Sequence, residues 1–306
     1  MNSNKMTKIL KEHLGSMKFD PEGPLPRDNS WPRITVITPS YNQGPYLERT
    51  IVSIHNQGYP NLEHIVIDGG STDGSVDILK RYSGVFTHWQ SSPDKGQCDA
   101  INIGASHATG KVMTWINSDD LLLPGTLDQV GRILRDDPGI DLVYGNQVEV
   151  DQGDRVTKRV FTIDFDMSDF LYEVNIIVNQ QSAFWSLDLF REIGSLNECP
   201  YAMDYDMFYR MFKQGIRYHR VEDFLSAFRI YPSSLTGSGQ VKSSRNDTVD
   251  GIFRDAMGRD RNLMDRTVQR YRYKAGRFIS EPRAIFAAVE HRFNQALAFV
   301  RRPAGS

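Results

Sequence analysis

The chain has 306 residues, of which 40% are hydrophobic and 24% charged, a composition that excludes disordered, collagen-like and disulfide-rich proteins. Its net charge of −2 excludes a general affinity for nucleic acid, and two cysteines do not imply a disulfide framework. No apolar run reaches 18 residues and the first 30 residues hold no signal-peptide core, so we expect neither a transmembrane helix nor a secreted protein. The cytoplasm is the expected location.

Strands and helices are expected to alternate through the first half of the chain. Short β-branched or apolar runs predict strands over 34–38, 63–68, 85–90, 112–117 and 142–145. Apolar residues at helical spacing predict helices over 46–56, 75–82, 96–107 and 126–135. This alternation indicates βαβ units and a mostly parallel sheet, in which ligands bind beyond the carboxyl ends of the strands.

The alternation stops after residue 150. A strand is expected over 180–185 and an amphipathic helix over 205–213, which Gly215 ends. Residues 1–32 predict a short helix and then an irregular lead-in, and residues 241–306 predict a helical extension. We therefore expect a main α/β domain over 33–240, divided near residue 150 and flanked by these two segments.

Two polar segments follow the first two strands. In the first, Pro39 ends the strand and Tyr41 offers a flat face for a nucleobase. In the second, Asp68 precedes two glycines that allow a tight turn, and its carboxylate could accept hydrogen bonds from a nucleobase imide or a ribose. A strand-to-helix turn explains each segment as well, and the residues alone leave both interpretations open.

A pair of adjacent carboxylates follows the fourth strand. Asp119 and Asp120 would repel each other at the lip of a parallel sheet unless a cation neutralised them. Mg²⁺ and Mn²⁺ suit such a site, because Mg²⁺ takes one or two carboxylates and completes its coordination with substrate phosphates. The pair thus predicts a metal–diphosphate site, with capping of the next helix as the alternative.

Asp204 lies at the start of the expected helix 205–213. A carboxylate at this place can be an N-cap, or a general base that takes the proton of an acceptor hydroxyl. Asp206 and Arg210 are four residues apart, which indicates a structural pair on one helix face.

The sequence lacks the signatures of several other enzyme classes. It contains no P-loop, no Gly-x-Gly-x-x-Gly fingerprint and no Gly-x-Ser-x-Gly nucleophile elbow, and its cysteines and histidines show no zinc spacing. These absences leave the polar segments described above as the chemistry-bearing part of the chain.

In order and spacing, residues 38–42, 68–75 and 117–120, together with 94–97, resemble glycosyltransferase family 2. The resemblance covers roughly residues 33–235. It implies the GT-A fold, a Rossmann-like and mostly parallel central sheet flanked by helices. It also implies an inverting transferase, dependent on Mg²⁺ or Mn²⁺, that moves a sugar from a nucleotide sugar, preferably a UDP-sugar, to a glycan or lipid-linked acceptor in cell-surface polysaccharide biosynthesis. Residues 33–150 would bind the nucleotide sugar and metal, and 151–240 the acceptor.

The same resemblance implies roles for single residues. The nucleoside would be held by Thr38, Pro39, Ser40, Tyr41 and Asp68. Lys95 would approach the uracil or the diphosphate, and Asp119 would contact the donor. Both carboxylates of the pair, Asp119 and Asp120, are candidate metal ligands, and Asp204 would be the catalytic base.

The chain departs from the family pattern at two places. Asn117 stands where the family often has its first Asp, and Met203 where it often has Glu. The first departure leaves open which carboxylate of the pair holds the metal. Three further residues resemble acceptor-side or diphosphate-side positions of the family: Gln180, Gln181 and Arg229.

The extension 241–306 is basic, with 14 Lys and Arg against 7 Asp and Glu. It predicts either a surface for anionic lipid at the inner face of the membrane, or helices that pack on the domain or on a second copy of the chain. Two other functions stay open. A sugar nucleotidyltransferase would need a basic residue in the loop after the first strand, and a non-catalytic glycan-binding protein could share the fold.

Overall fold

The computed structural model describes residues 1–21, 28–172, 177–197, 202–234, 242–262, 264–265 and 267. Most of the basic extension lies outside these residues, so its expected contact with a membrane or a second chain stays a prediction. No helix within the described ranges is long and apolar enough to cross a bilayer.

The strands, in chain order, are β1 (Ile34–Ser40), β2 (Leu62–Asp68), β3 (His88–Ser91), β4 (Val112–Trp115), β5 (Leu121–Leu122), β6 (Leu142–Val150), β7 (Val156–Val160), β8 (Ala183–Ser186) and β9 (Tyr218–Arg229). The helices are α1 (Ser3–Leu14), α2 (Gly44–His55), α3 (Ser75–Arg81), α4 (Gln97–His107), α5 (Thr126–Asp136), α6 (Met167–Leu171), α7 (Leu187–Glu192), α8 (Met203–Lys213) and α9 (Lys242–Met257). Two 3₁₀ turns cover Ser83–Val85 and Gln180–Ser182.

The strands join in one sheet in the order β3-β2-β1-β4-β8-β6-β9-β5, with β7 paired to β6. From β3 to β4 the strands are parallel, and β8 then runs antiparallel between β4 and β6. Every residue of β1 and β2 is buried, which explains their continuous apolar and β-branched sequences. The predicted α/β fold class, with a central sheet flanked by helices, is confirmed.

The strand order reverses direction at β1. Its neighbours are β2 on one side and β4 on the other, and in open α/β sheets ligands bind in a crevice beyond the carboxyl ends of the strands at such a switch point. In the register of β1 and β2, Ser40 stands opposite Asp68. Close packing of α4 brings the layers together, because a Cβ on Gly104 would lie 2.6 Å from Ile37 Cγ2.

The N-terminal helix belongs to the core of the domain. Met6 and Leu10 of α1 are buried in one cluster with Leu121 of β5, Val148 of β6 and Ala227 of β9. The backbone N–H of Val156 adds a hydrogen bond to the Thr7 hydroxyl, at 2.9 Å. Helix α1 therefore packs against β5, which follows the acidic pair in the chain, and against β6 and β9.

Several expected elements differ in detail from the structure. The third strand begins at His88, because residues 83–85 form a 3₁₀ turn, and the strand expected from residue 180 begins only at Ala183. Strands β5, β7 and β9 were not predicted. Strand β5 has only two residues, and β9 carries charged, exposed residues over its first half, so neither shows the apolar pattern of a strand.

Candidate active site

The turn after β2 is built around Asp68. Its buried carboxylate accepts hydrogen bonds from the backbone N–H of Gly70 and Ser71, at 3.2 and 2.9 Å, and from the hydroxyls of Ser71 and Ser91. Gly70 has φ +83°, which a residue with a side chain rarely adopts. Asp68 therefore fixes the loop that borders the crevice, and its contact with a nucleobase stays a prediction.

The end of β1 offers two groups to the crevice. Tyr41 is 63% exposed, and its ring lies against Gly69, where a Cβ would meet Tyr41 Cδ2 at 3.2 Å. The hydroxyl of Ser40 is buried, and no group among the described residues bonds to it. Most buried hydroxyls have a partner, so Ser40 Oγ is a polar group at the end of β1 that is left to bond, and its contact with a nucleoside stays a prediction.

Thr38 is buried in β1, and its hydroxyl has a partner within the protein. Its hydroxyl lies 3.0 Å from His64 Nε2, and His64 Nδ1 lies 2.8 Å from His55 Nε2, so the three form a buried chain. Burial holds the pKa of His55 down at about 3 and that of His64 well below its usual range. Both rings are therefore neutral near pH 7, and Thr38 contacts that of His64. The neighbouring Pro39 pairs with Ile67 within the sheet.

The loop before α4 carries Lys95, which is exposed. The carboxylate of Asp94 lies against Gly69, where a Cβ would be 3.0 Å from its Oδ2, and accepts the N–H of Gly96 at 2.8 Å. The next residue, Gln97, donates through Nε2 to Asn117 Oδ1 at 2.6 Å. The start of α4 is thereby connected to the acidic segment after β4.

Asp120 is completely buried, and both of its carboxylate oxygens accept hydrogen bonds. Oδ1 receives the backbone N–H of Arg229 at 2.9 Å. Oδ2 receives the amide groups of Asn117 and Gln181, at 2.9 and 3.3 Å. Burial, and then the charge of Asp119, raise the pKa of Asp120 well above its usual range. In this arrangement Asp120 anchors its loop to β9 and to the 3₁₀ turn at 180–182.

Asp119 is the more exposed member of the pair. Its Oδ2 accepts the hydroxyl of Tyr231 at 3.0 Å, and burial raises the pKa of the carboxyl. The Tyr231 hydroxyl also meets the side-chain amide of Gln43, at the start of α2. The Asp119 side chain is thus oriented by a residue that follows β9.

Arg229 lies inside the protein, with a fully buried side chain. Its Nε donates to the backbone oxygen of Asp119 at 2.8 Å, one terminal nitrogen to that of Asp151 at 2.7 Å, and the other to Asp154 Oδ1 at 2.7 Å. The guanidinium lies 4.8 Å from the centre of the Tyr46 ring. Arg49 of α2 pairs with the second oxygen of Asp154. Arg229 therefore clamps the acidic loop to residues 151–154, with its guanidinium bonded within the protein, and its place relative to the acceptor or the diphosphate stays a prediction.

Asp204 is the second residue of α8 and is half-buried. The N-cap position belongs to Ala202, which has no side-chain cap bond, so the capping alternative for Asp204 does not hold. Its Oδ1 accepts the N–H of Tyr205 at 2.9 Å. Asp206 and Arg210 form the expected structural pair, at 2.8 Å.

Helix α8 is tied to the donor side through the loop that precedes it. The side chain of Asn102 on α4 donates to the backbone oxygen of Leu196 at 2.9 Å and accepts its N–H at 3.1 Å. Asn197 then donates to Asp206 of α8 at 2.9 Å. The helix that connects to Asn117 through Gln97 thus also contacts Leu196, and the neighbouring Asn197 bonds to α8.

The acidic pair fits a metal ion for which the protein supplies only some of the ligands and a substrate supplies others. Over the described ranges, no group of three or more His, Cys, Asp or Glu side chains could by itself hold an ion. A hard cation such as Mg²⁺ commonly binds through one or two carboxylates and takes its other oxygens from phosphates and water. Asp119 offers such a carboxylate at the carboxyl edge of the sheet.

Sequence patterns did not reveal several groups at this site. Tyr231 and Gln43, which orient Asp119, and Asp154, which pairs with Arg229, carry no motif of their own. Of the two glutamines expected on the acceptor or diphosphate side, Gln180 donates to the backbone oxygen of Trp115 at 2.7 Å and Gln181 to Asp120 Oδ2 at 3.3 Å.

Solved structures with the same architecture contain nucleotide sugars. The model matches S. aureus TarS 1–349 in complex with UDP-GlcNAc with a TM-score of 0.58 and 16% identity, over 80% of this chain and 72% of that one. It matches the mannosyltransferase PcManGT from Pyrobaculum calidifontis, in complex with GDP-Man and Mn²⁺, with a TM-score of 0.55 and 19% identity, over 99% and 85% of the two chains. At these identities the likeness establishes the fold.

Curated relatives point to the same family. A glycosyltransferase of Mycobacterium tuberculosis (strain H37Rv) is 36% identical over 168 residues, which are 54% of this chain and 63% of the relative. A PGL/p-HBAD biosynthesis glycosyltransferase of Mycobacterium bovis BCG is 31% identical over 170 residues, 54% and 64% of the two chains. The chain thus spans less than two thirds of these relatives. The family model described as glycosyl transferase family 2 matches residues 35–217, more than half of the sequence, and the chain belongs to that family.

Proposed function

We propose that the chain is an inverting glycosyltransferase that moves a sugar from a nucleoside-diphosphate sugar, with UDP as the favoured nucleotide, to a hydroxyl of a glycan or lipid-linked acceptor. The observation that carries this proposal is the set of groups at one edge of the sheet: the exposed Tyr41 ring, the unpartnered Ser40 hydroxyl and the Asp119 carboxylate. They provide a flat face, a polar contact and a metal ligand beside the crevice at β1.

The nucleoside would lie on the first loop. Tyr41 presents a ring on which a base can stack, an interaction worth about 1–3 kcal/mol per base in single-strand binding proteins. Ser40 Oγ would gain a hydrogen-bond partner from the ribose or the base. Lys95, exposed in the loop before α4, would provide positive charge toward the diphosphate.

Asp119 would hold the divalent cation, and Asp120 would anchor the loop, since both oxygens of Asp120 already accept protein hydrogen bonds. When bound, Mg²⁺ or Mn²⁺ would stabilise the negative charge that develops on the departing diphosphate. Arg229 would keep the Asp119 backbone in place through its bond to the carbonyl oxygen.

Asp204 would act as the general base. It would take the proton of an acceptor hydroxyl as the acceptor oxygen bonds to the anomeric carbon and the bond from that carbon to the diphosphate oxygen breaks. A single displacement inverts the anomeric configuration. Asp204 lies in the first turn of α8.

The test is nucleotide release from a panel of UDP-, GDP-, dTDP- and CMP-sugars, with Mn²⁺ or with EDTA. The proposal expects release from one class of donor that EDTA abolishes. A sugar nucleotidyltransferase would instead produce pyrophosphate from a nucleoside triphosphate and a sugar phosphate, and a glycan-binding protein would release nothing from any donor.

A further inference from the structure

The hydroxyl of Tyr231 joins two parts of the donor site. It lies 3.0 Å from Asp119 Oδ2, and 3.0 and 3.1 Å from Nε2 and Oε1 of Gln43. When the hydroxyl donates to the Asp119 carboxylate, it accepts from Gln43 Nε2. A phenol has one proton to donate and lone pairs to accept with, so a single orientation satisfies both bonds. The metal-side carboxylate and the first loop are therefore linked through one oxygen atom.

The surroundings of Tyr231 fix this oxygen in place. Its side chain is almost fully buried, and its ring packs on Tyr46 with 5.0 Å between ring centres. Tyr46 lies in turn against the guanidinium of Arg229. The Ser234 hydroxyl and backbone N–H both donate to the Tyr231 carbonyl, at 2.8 and 3.0 Å, closing a tight turn after β9.

Gln43 sits where the nucleoside loop ends. It follows Tyr41 and Asn42 and occupies the position before α2. Asn42 has φ +51°, its N–H donates to the Ser71 hydroxyl at 2.8 Å, and its side-chain oxygen accepts the N–H of Thr72 at 2.9 Å. These two bonds tie the loop to the turn after β2, and Gln43 follows it directly, so a displacement of Gln43 would be felt at Tyr41.

We propose that Tyr231 is a positioning residue that makes nucleotide binding and divalent-cation binding depend on each other. Its bond to Asp119 sets the orientation in which that carboxylate meets a cation, and its bond to Gln43 sets the loop that carries Tyr41. A cation that fixes Asp119 thus favours the loop conformation that receives the nucleotide, and the nucleotide favours the cation to the same extent. The inference rests on the proposed function of this site.

The experiment measures UDP and GDP affinity by calorimetry, in saturating Mn²⁺ and in EDTA, for the wild type, Tyr231→Phe and Tyr46→Phe. The ratio of the two affinities is the coupling factor, which for linked sites is typically about 5–150. Tyr231→Phe keeps the ring and removes only the hydroxyl. We expect it to lower the coupling factor at least about fivefold, so that the affinity in Mn²⁺ falls more than the affinity in EDTA. Tyr46→Phe removes a hydroxyl that accepts from the exposed Gln152, and should keep the wild-type factor.

Two results would overturn the inference while the proposed function stands. Tyr231→Phe could keep the wild-type coupling factor, or it could lower the affinity equally in Mn²⁺ and in EDTA, as expected of a residue that only supports the fold. A wild type that binds neither UDP nor GDP in either condition would instead overturn the proposed function, and the inference with it.

Discussion

Replacement of Arg229 by Met tests whether the buried clamp supports the acidic loop. Met fills much of the same volume but donates no hydrogen bonds. The change leaves the carbonyl oxygens of Asp119 and Asp151 and one carboxylate oxygen of Asp154 without their donor, in a region closed to water. Asp154 retains its pairing with Arg49, whose side chain is partly exposed.

Removal of one partner from a buried ion pair costs about 3–5 kcal/mol, because the remaining charge stays buried. For a domain of this size, each kcal/mol lowers the Tm by roughly 2–4 °C. We therefore expect Arg229→Met to lower the Tm by roughly 6–20 °C. The loss of the positive charge should also raise the pKa of Asp119 further, since Arg229 now lowers it. Metal-dependent nucleotide binding should then require a higher pH.

Thermal unfolding followed by circular dichroism measures the effect, with Arg132→Met as the matched control. Arg132 pairs with Asp128 on the surface of α5, where an exposed ion pair contributes little to stability. The control should keep the wild-type Tm. An Arg229→Met protein no less stable than the Arg132→Met protein would refute the clamp.

Three further predictions concern the carboxylates and the buried histidines. Asp204→Asn should lower turnover about 10²–10⁴-fold with unchanged calorimetric nucleotide affinity, and normal turnover would contradict its role as base. Asp119→Asn should remove the gain in nucleotide affinity that Mn²⁺ provides. Asp120→Asn should mainly lower the Tm, because it places an amide against the two amide donors of Asn117 and Gln181. The reverse pattern would assign the metal to Asp120. The pKa of His55 is held at about 3 in the folded protein. Below pH 6.5 the unfolded chain therefore binds a proton at this residue that the folded chain does not, and the free energy of unfolding decreases as the pH falls. Between pH 7 and 5 the wild type should lose about 2 kcal/mol more unfolding free energy than His55→Gln, measured in urea, and equal losses would show that His55 is protonated when folded.

The elements that carry local signals were predictable from the sequence. Strands β1 and β2 have continuous β-branched runs, and each ends at residues that break a ladder or allow a turn. Since the carboxyl ends of parallel strands meet at one edge, Tyr41, Asp68 and Asp119 could be placed at a common site before the fold was known. Membership of glycosyl transferase family 2 is confirmed by the match over residues 35–217.

The contacts that orient the site could not be predicted in the same way. Tyr231 is 112 residues from Asp119 in the chain, and Arg229 is 75 residues from Asp154. A single sequence shows the pattern within an element and not which distant side chains meet across the sheet. The side-chain direction of Thr38 also depends on its tertiary partner, His64, which no local pattern indicates.

The central claim is that a nucleotide binds at the carboxyl edge of β1, and calorimetric titration of UDP in Mn²⁺ into wild type and Tyr41→Ala tests it most directly. Tyr41 is 63% exposed, so its removal should leave the Tm unchanged. A lost stacking interaction of about 1–3 kcal/mol corresponds to an affinity roughly 5- to 150-fold weaker. The account predicts that the wild type binds UDP and that Tyr41→Ala binds it weaker by this factor. Equal affinities for the two proteins would contradict the placement of the nucleotide on Tyr41, and a wild type that does not bind would contradict UDP as its ligand.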